Sequence, residues 1–199
     1  MFMITKKIIR DIFSAGVFLA LFGGMASEAR AGDIVGKAGG SGTPGADCVV
    51  WVDGIEAPPA STEPLQISQK GVQFKPSFLV AVKGQLVNMP NDDDVAHNVF
   101  SYSPAKKFNL GIYPKGESRS VTFDQTGLVD IFCSIHRNMN AKVFVVPNRY
   151  YAQSKIGDSY VIGGVPAGNY HLKMWVKDVA EQSQDVTVPE SGKATVDFA

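Results

Sequence analysis

Four side chains near the middle of the chain have the donor types of a mononuclear copper site. They are His97, followed by Cys133, His136 and Met139 in the run C-S-I-H-R-N-M. A thiolate, two imidazoles and a weak axial thioether are the ligands of blue-copper centres, because soft sulfurs favour Cu(I) while imidazoles keep Cu(II) accessible. The pattern therefore predicts a metal site that gains and releases single electrons.

The segments around these residues predict how the donors meet. Residues 128–133 and 141–146 have the composition of strands, and the polar residues 134–140 form the turn between them. The Cys-x-x-His-x-x-Met spacing places three donors on this loop. His97 stands at the head of the apolar run 98–100, so we expect it to start a strand that lies beside the loop.

The spacing of turn residues and short apolar segments along the chain predicts an all-β protein. Gly and Pro recur at short intervals, and the segments between them are brief and rich in Val, Phe and Tyr. The clearest strands are expected at residues 78–82, 85–89, 118–123, 128–132 and 141–146. No amphipathic helix of convincing length appears. Short strands separated by turns are typical of a sandwich, here predicted to have Greek-key connections.

Two segments resemble the cupredoxins, in particular the amicyanin-like and plastocyanin-like proteins found among methylamine-utilisation proteins. They are V-N-M-P-N-D-D-D-V-A-H-N-V-F-S and V-D-I-F-C-S-I-H-R-N-M-N-A-K-V-F-V, within a resemblance over roughly residues 77–147. The resemblance implies one type 1 copper per chain, bound by His97, Cys133, His136 and Met139.

The same resemblance implies roles for neighbouring residues. Asn98 would tie its strand to the cysteine loop at Ser134, and the backbone N–H of Asn98 would point at the thiolate sulfur, where such hydrogen bonds tune the potential. His136 would be the ligand nearest the surface and the port for electrons. Many relatives have proline after this histidine, whereas this chain has Arg137, a cation that is expected to affect potential and partner choice.

The sequence leaves other roles open for these four side chains. A single Cys or Met is often a core residue, so the site is either copper, zinc or empty. Zinc prefers a tetrahedral set without a thioether, and Met139 argues against it. A disulfide between Cys48 and Cys133 would destroy the copper site, but Cys48 lies in the strand-like run 48–52, where a buried free thiol is ordinary.

The N-terminus has the features of a signal peptide over residues 1–31. A basic start with Lys6, Lys7 and Arg10 precedes a largely apolar stretch, and Ala29-Arg30-Ala31 fits the small-x-small cleavage pattern, so cleavage is expected after Ala31. An uncleaved membrane anchor is the alternative, but the apolar stretch contains glycines and is shorter than the roughly 20 residues that span a bilayer. The protein is therefore predicted to be periplasmic or secreted.

The charge excludes one class of partner. The full chain has 19 basic and 19 acidic residues, and removal of residues 1–31 takes away four cations and two carboxylates, so the mature chain is slightly acidic. There is no basic field for nucleic acid. No later stretch is long and apolar enough to span a membrane, and no span is expected after signal cleavage.

The organisation of the chain changes near Pro147. We predict a copper domain over residues 32–147 and a small β-sandwich-like module over residues 148–199 with four short strands. The run G-V-P-A-G-N-Y resembles transthyretin-like or carboxypeptidase-regulatory modules. About fifty residues make a marginal independent core. The sequence of residues 32–38 and 46–54 is compatible with membership of either the copper domain or the C-terminal module.

These patterns predict a carrier of single electrons between protein partners, rather than an enzyme. The chain has three histidines, so His171 is the only one outside the predicted site, and the additional His-rich centres of multicopper enzymes cannot be built. His171 is expected to be an ordinary surface residue.

The partner implied by the resemblance is a c-type cytochrome or a dehydrogenase, and the acidic run Asp92, Asp93 and Asp94 is a candidate docking loop. The alternatives are a copper chaperone or sensor, and a secreted binding module without redox activity.

Overall fold

A computed structural model describes residues 30–59 and 61–199, and every regular element in them is a β-strand. The all-β prediction is therefore confirmed for this part of the chain. The predicted signal peptide, apart from Arg30 and Ala31, lies outside the described residues. Within the described residues, no helix has the length and apolar character needed to cross a membrane.

The middle of the chain forms a sandwich of two main sheets. The strand orders are β10-β7-β3 and β6-β12-β11-β8-β9, with β4 and β5 as a separate pair. The bounds are β3 Leu65–Gln66, β4 Ser68–Gln69, β5 Phe74–Lys75, β6 Phe78–Val82, β7 Gln85–Pro90, β8 His97–Ser103, β9 Lys106–Tyr113, β10 Ser118–Phe123, β11 Gly127–Phe132 and β12 Asn140–Val146.

Alternation along these strands explains the core of this sandwich. On β11, Val129 and Ile131 are fully buried, and on its partner β12, Val143 and Val145 face the same core. Side chains two residues apart on a strand lie on one face, so each strand contributes every second residue. The predicted strands at 118–123, 128–132 and 141–146 match β10, β11 and β12 within one residue.

The two ends of the chain form a second sandwich together. Its sheets have the orders β14-β1-β17 and β13-β2-β15-β16. The bounds are β1 Ala31–Lys37, β2 Asp47–Asp53, β13 Tyr151–Lys155, β14 Ser159–Pro166, β15 Gly168–Val176, β16 Gln182–Val188 and β17 Lys193–Thr195. Of the two alternatives for the N-terminal strands, the pairing of β1 with β14 and of β2 with β15 supports the C-terminal one.

This pairing bears on the predicted domain division. β2 and all of β1 except Ala31 fall inside the predicted range 32–147 but pair with strands of the predicted range 148–199. A fragment of about fifty residues buries too little apolar surface alone, and the two N-terminal strands supply what it lacks. The boundary near residue 147 stays a prediction, and we propose that residues 31–53 and 148–199 form one folding unit.

An aromatic cluster joins the two sandwiches. The outer face of β6 and β12 meets one face of β2 and β15. The Phe144 ring lies 5.4 Å from that of Trp51 and 4.8 Å from that of Trp175, which also stacks on Phe78. Aromatic pairs at such distances add about 0.5–1.5 kcal/mol each beyond the area they bury. The sandwich of β3–β12 therefore packs against the second sandwich through an apolar interface.

Asn148 anchors the connection between the sandwiches. It is fully buried, and its Nδ2 donates to the carbonyl oxygens of Val52 at 2.8 Å and Ile55 at 2.9 Å. Its Oδ1 accepts from the backbone N–H of Tyr150 at 2.9 Å. One side chain thereby satisfies backbone groups at the end of β2 and the start of the C-terminal segment.

Replacement of Asn148 by alanine is expected to lower the free energy of unfolding by about 3 kcal/mol or more. Each buried backbone group that loses its partner costs about 1–3 kcal/mol, and three of them depend on this side chain. Urea unfolding of the apo-protein measures the loss. The exposed Asn169 is the control, since Asn169→Ala is expected to cost about 0.5 kcal/mol or less. Equal losses in the two variants would contradict the anchoring role.

Candidate metal centre

The predicted donors meet at one end of the five-stranded sheet. β8 and β11 are antiparallel and pair through Phe100 and Phe132, so the start of β8 lies beside the end of β11. His97 is the first residue of β8, and Cys133 directly follows β11. Non-local strand pairing therefore brings together two donors that are far apart in the sequence.

Three donor atoms converge in this place. The Nδ1 atoms of His97 and His136 are 3.1 Å apart, and the Cys133 Sγ lies 3.9 Å from the His136 Nδ1. One ligand atom from each residue lies within 4.8 Å of the others. His97 and Cys133 are buried, whereas His136 is half-buried and closest to solvent. The structure thus brings these three predicted site residues together, and their role as ligands stays a prediction.

The donor set fits copper. Ligands that bind one ion at about 2.0–2.3 Å are themselves about 3–4 Å apart, and the His136 Nδ1 lies at such distances from both the His97 Nδ1 and the Cys133 Sγ. Two imidazoles and a thiolate form the trigonal set of blue-copper sites. Among the described residues, this is the one group of three His, Cys, Asp or Glu side chains with such convergence. The cluster can therefore hold a copper ion.

Met139 lies on the same loop as the other two donors. Its backbone N–H donates to the His136 carbonyl at 2.9 Å, and its own carbonyl accepts from the Cys133 N–H at 3.2 Å. The Met139 side chain is buried in the core cluster that also contains Cys133. The loop is thereby closed on itself, and the role of the buried Met139 thioether as an axial ligand stays a prediction.

Asn98 connects the His97 strand to the cysteine loop. Its Oδ1 accepts from the backbone N–H of Ser134 at 3.3 Å, and its Nδ2 donates to Asn109 on β9 at 2.9 Å. The tie expected for Asn98 is therefore present. The contact expected between the Asn98 backbone N–H and the Cys133 sulfur stays a prediction.

A carboxylate contacts the ring nitrogen of His97 that does not face the other donors. The Asp93 Oδ2 lies 2.8 Å from the His97 Nε2, on the side of the ring away from the donor cluster. Asp93 also accepts from the backbone N–H groups of Gly71 at 2.5 Å and Val72 at 2.8 Å. Burial acts to raise the pKa of the Asp93 carboxyl, but the hydrogen bonds from Val72, Gly71 and His97 outweigh it and lower the pKa.

The three aspartates of the predicted docking loop therefore differ from one another. Asp92 accepts from the Ser68 hydroxyl, and Asp94 pairs with Lys115 at 2.6 Å in an exposed position. Asp93 instead faces inward to His97. Sequence reasoning treated the run as one solvated loop and missed this inward contact. The Asp-x-x-x-His spacing was the available clue, but spacing alone does not show which of three adjacent carboxylates turns inward.

The remaining sulfur and imidazole groups lie away from the site. Cys48 is buried in the second sandwich and Cys133 in the first, and both are free thiols, so the disulfide alternative is wrong. Burial, followed by the charge of Asp47, raises the pKa of the Cys48 thiol to about 11, which leaves it protonated and a poor metal ligand. His171 is exposed and pairs with Asp185 at 2.7 Å, as expected for a surface residue.

The described residues combine an all-β fold with a His-Cys-His cluster at one end of a sheet, an arrangement similar to that of the cupredoxins. Residues 62–146 match the family of copper binding proteins described as the plastocyanin/azurin family. The predicted resemblance to cupredoxins is thereby confirmed for this segment, which contains all four predicted site residues. No curated protein is significantly similar to the chain.

Solved structures with similar folds include copper proteins of several kinds. A copper-containing nitrite reductase from Thermus scotoductus SA-01 is 23% identical over 42% of this chain and 22% of its own length, with a TM-score of 0.41. A purple cupredoxin from Nitrosopumilus maritimus is 26% identical over 41% of this chain and 99% of its own, with a TM-score of 0.38. A Cu(I) amicyanin variant is 21% identical over 49% of this chain and 98% of its own, with a TM-score of 0.40.

Proposed function

We propose that this protein is an exported type 1 copper protein that carries one electron at a time between redox partners. The observation that carries the proposal is the convergence of the His97, Cys133 and His136 donor atoms within 4.8 Å. When bound there, copper supplies a couple between Cu(II) and Cu(I). The methylamine-utilisation subtype, the periplasmic location and a c-type cytochrome or dehydrogenase as partner belong to the same proposal.

The surroundings of the donors suit a carrier. His97 and Cys133 stand at the ends of paired strands in a packed core, and the loop of Met139 is closed by two backbone hydrogen bonds. Close-packed interiors resist displacement, so the donors keep nearly the same positions in both oxidation states. A site that rearranges little loses little free energy when an electron arrives or leaves.

Two exposed apolar side chains beside the candidate ligands in the sequence suit brief contact with a partner. Ile135, which is 45% exposed, directly precedes His136, and Val95, which is 47% exposed, lies two residues before His97. Small docking surfaces of this kind are typical of weak redox complexes, which must dissociate quickly after transfer. His136 is therefore proposed as the port through which the electron passes.

Electrochemistry of the copper-loaded protein tests the proposal against its alternatives. A carrier gives a reversible one-electron wave and retains its copper when mixed with an apo-acceptor. A chaperone or sensor gives rapid transfer of copper to the acceptor. A binding module that uses the sandwich only as a scaffold gives no tight copper binding. The burial of His97 and Cys133 favours the first outcome, because a buried ligand pair releases metal slowly.

Reversal of the charge beside the proposed port is expected to change partner encounter. Arg137 is exposed and follows His136 directly, so Arg137→Glu should change the bimolecular electron-transfer rate several-fold at low salt. The difference should shrink as the screening length falls from about 10 Å at 0.1 M to about 3 Å at 1 M salt. Stopped-flow mixing with a cytochrome from the same compartment measures the rate.

The matched control reverses a charge far from the port. Lys193 is exposed on β17, in the outer sheet of the second sandwich, so Lys193→Glu makes the same change in net charge at a distant place. We expect its rate to stay close to that of the unaltered protein. If the two variants behave alike, docking does not use the Arg137 surface, although the copper assignment would stand.

A further inference from the structure

We propose that Asp93 is a positioning residue for the copper centre, which orients the His97 ring, frees its Nδ1 for the metal and lowers the reduction potential. This inference rests on the proposed copper function. It concerns a residue that is neither a predicted ligand nor part of the surface around His136.

The Asp93 carboxylate selects one form of the His97 ring. Its Oδ2 lies 2.8 Å from the His97 Nε2. An ionised carboxylate only accepts hydrogen bonds, so the proton of the neutral imidazole resides on Nε2. The lone pair of Nδ1 is then free, and this atom is the one that lies 3.1 Å from the His136 Nδ1 within the donor cluster. The hydrogen bond therefore prepares the correct nitrogen for metal binding.

The carboxylate is itself held in place by the backbone. The N–H groups of Gly71 and Val72 donate to its two oxygens at 2.5 and 2.8 Å. Both residues have a positive φ, 70° for Gly71 and 55° for Val72. Two consecutive amides in this conformation form a concave nest that binds an anion.

The conformation of Val72 is costly and therefore informative. A β-branched residue rarely adopts a positive φ, and such backbone persists where the surroundings over-determine it. Here the conformation directs the Val72 N–H at the carboxylate that contacts His97. The Asp93 side chain is 11% exposed, so it cannot turn freely into solvent. Hydrogen bonds thus connect the turn to the Asp93 carboxylate and the carboxylate to His97.

An imidazole that donates to a carboxylate is a stronger ligand for the more highly charged ion. A carboxylate behind a metal-binding histidine raises the basicity of the ring, and loss of such a partner typically costs about 10–100-fold in metal affinity. The added negative charge favours Cu(II) over Cu(I). Asp93 is therefore expected to hold the potential below the value that the same donors would give without it.

The neighbouring aspartates provide a matched control. Asp94 carries the same charge one residue away, but its carboxylate pairs with Lys115 at the surface. The pair Asp93→Asn and Asp94→Asn therefore removes one negative charge from the same loop, with and without the contact to His97. Any effect common to both variants reports the general field of the loop, and the difference between them reports the negative charge in contact with the His97 ring.

Voltammetry and Cu(II) titration of the two variants test the inference. We expect Asp93→Asn to bind Cu(II) at least about tenfold more weakly and to have a higher potential, by about 59 mV for each tenfold loss that Cu(I) does not share. Asp94→Asn is expected to shift the potential far less. Equal shifts in the two variants would overturn the role of Asp93. Absence of a blue band in the unaltered protein would overturn the proposed function as well.

A second measurement does not depend on the folding of a variant. In the Cu(I) form of the unaltered protein, which is diamagnetic, NMR is expected to show the Nε2 proton of His97 as a downfield resonance that exchanges slowly with water. This proton lies in the buried contact with Asp93. A blue protein in which the Nε2 proton exchanges rapidly would contradict the inference alone and leave the electron-carrier proposal standing.

Discussion

Replacement of Cys133 by alanine is expected to abolish the intense blue band that we predict for the Cu(II) protein. The band arises from charge transfer between a thiolate and Cu(II), and Cys133 is the only cysteine at the donor cluster of the described residues. Without it, the imidazoles of His97 and His136 are left as the main donors, and they have no such transition. The visible spectrum after addition of Cu(II) measures the loss directly.

Cys48 is the matched control for this experiment. It is a second buried free thiol, but it lies in the core of the other sandwich. Cys48→Ala should therefore keep the blue band at full intensity, at a modest cost in stability from the small cavity. A variant that lacks Cys48 and loses its colour would overturn the assignment of the thiolate, as would a Cys133→Ala protein that remains blue.

Replacement of Met139 by leucine is expected to raise the reduction potential while copper stays bound. The thioether is a weak axial donor that stabilises Cu(II) more than Cu(I), and leucine fills a similar volume without a lone pair. The shift should be about 59 mV or more, the equivalent of a tenfold loss in affinity for Cu(II) relative to Cu(I). Cyclic voltammetry of the purified proteins measures it.

Met174 allows the effect of the sulfur to be separated from that of packing. It is as deeply buried as Met139, but it packs in the core of the second sandwich. Met174→Leu makes the same chemical change away from the donors and should leave the potential unchanged. If Met139→Leu gives no larger shift than Met174→Leu, then Met139 is not an axial ligand.

The local sequence pattern was sufficient to predict most strands of the sandwich that contains the His-Cys-His cluster. Strands expected at residues 85–89 and 128–132 appear as β7 and β11 with small changes at their ends. The candidate donors Cys133, His136 and Met139 were predicted from spacing, because they lie on one short loop whose flanking strands pair with each other. Such features depend on residues close together in the sequence, where composition and turn chemistry are informative.

The pairing of strands that are distant in the sequence could not be predicted from the local pattern. The run 48–52 was expected as a strand, but its continuous burial arises because β2 is an inner strand with the second core on one face and the aromatic interface on the other. Four strands were expected after residue 147, whereas five are present, and β13 was missed because its alternation is weak. The last of the five, β17, spans Lys193–Thr195 and is followed by an isolated bridge at Phe198.

The role of Asp93 shows the same limit within the site. Three adjacent aspartates are equivalent in composition, and only the positive φ of Val72 and the turn between β4 and β5 decide which one faces His97. That turn comes from a segment more than twenty residues earlier in the chain. A sequence pattern names candidate ligands, whereas the groups that orient them depend on the folded arrangement.

Titration of the purified mature protein with Cu(II), followed by its visible spectrum, tests the central claim most directly. We predict an intense thiolate-to-copper band that grows linearly and saturates at one copper per chain, because one His-Cys-His cluster is present in the described residues. A spectrum with only the weak absorption of Cu(II) bound by nitrogen and oxygen ligands would contradict the account.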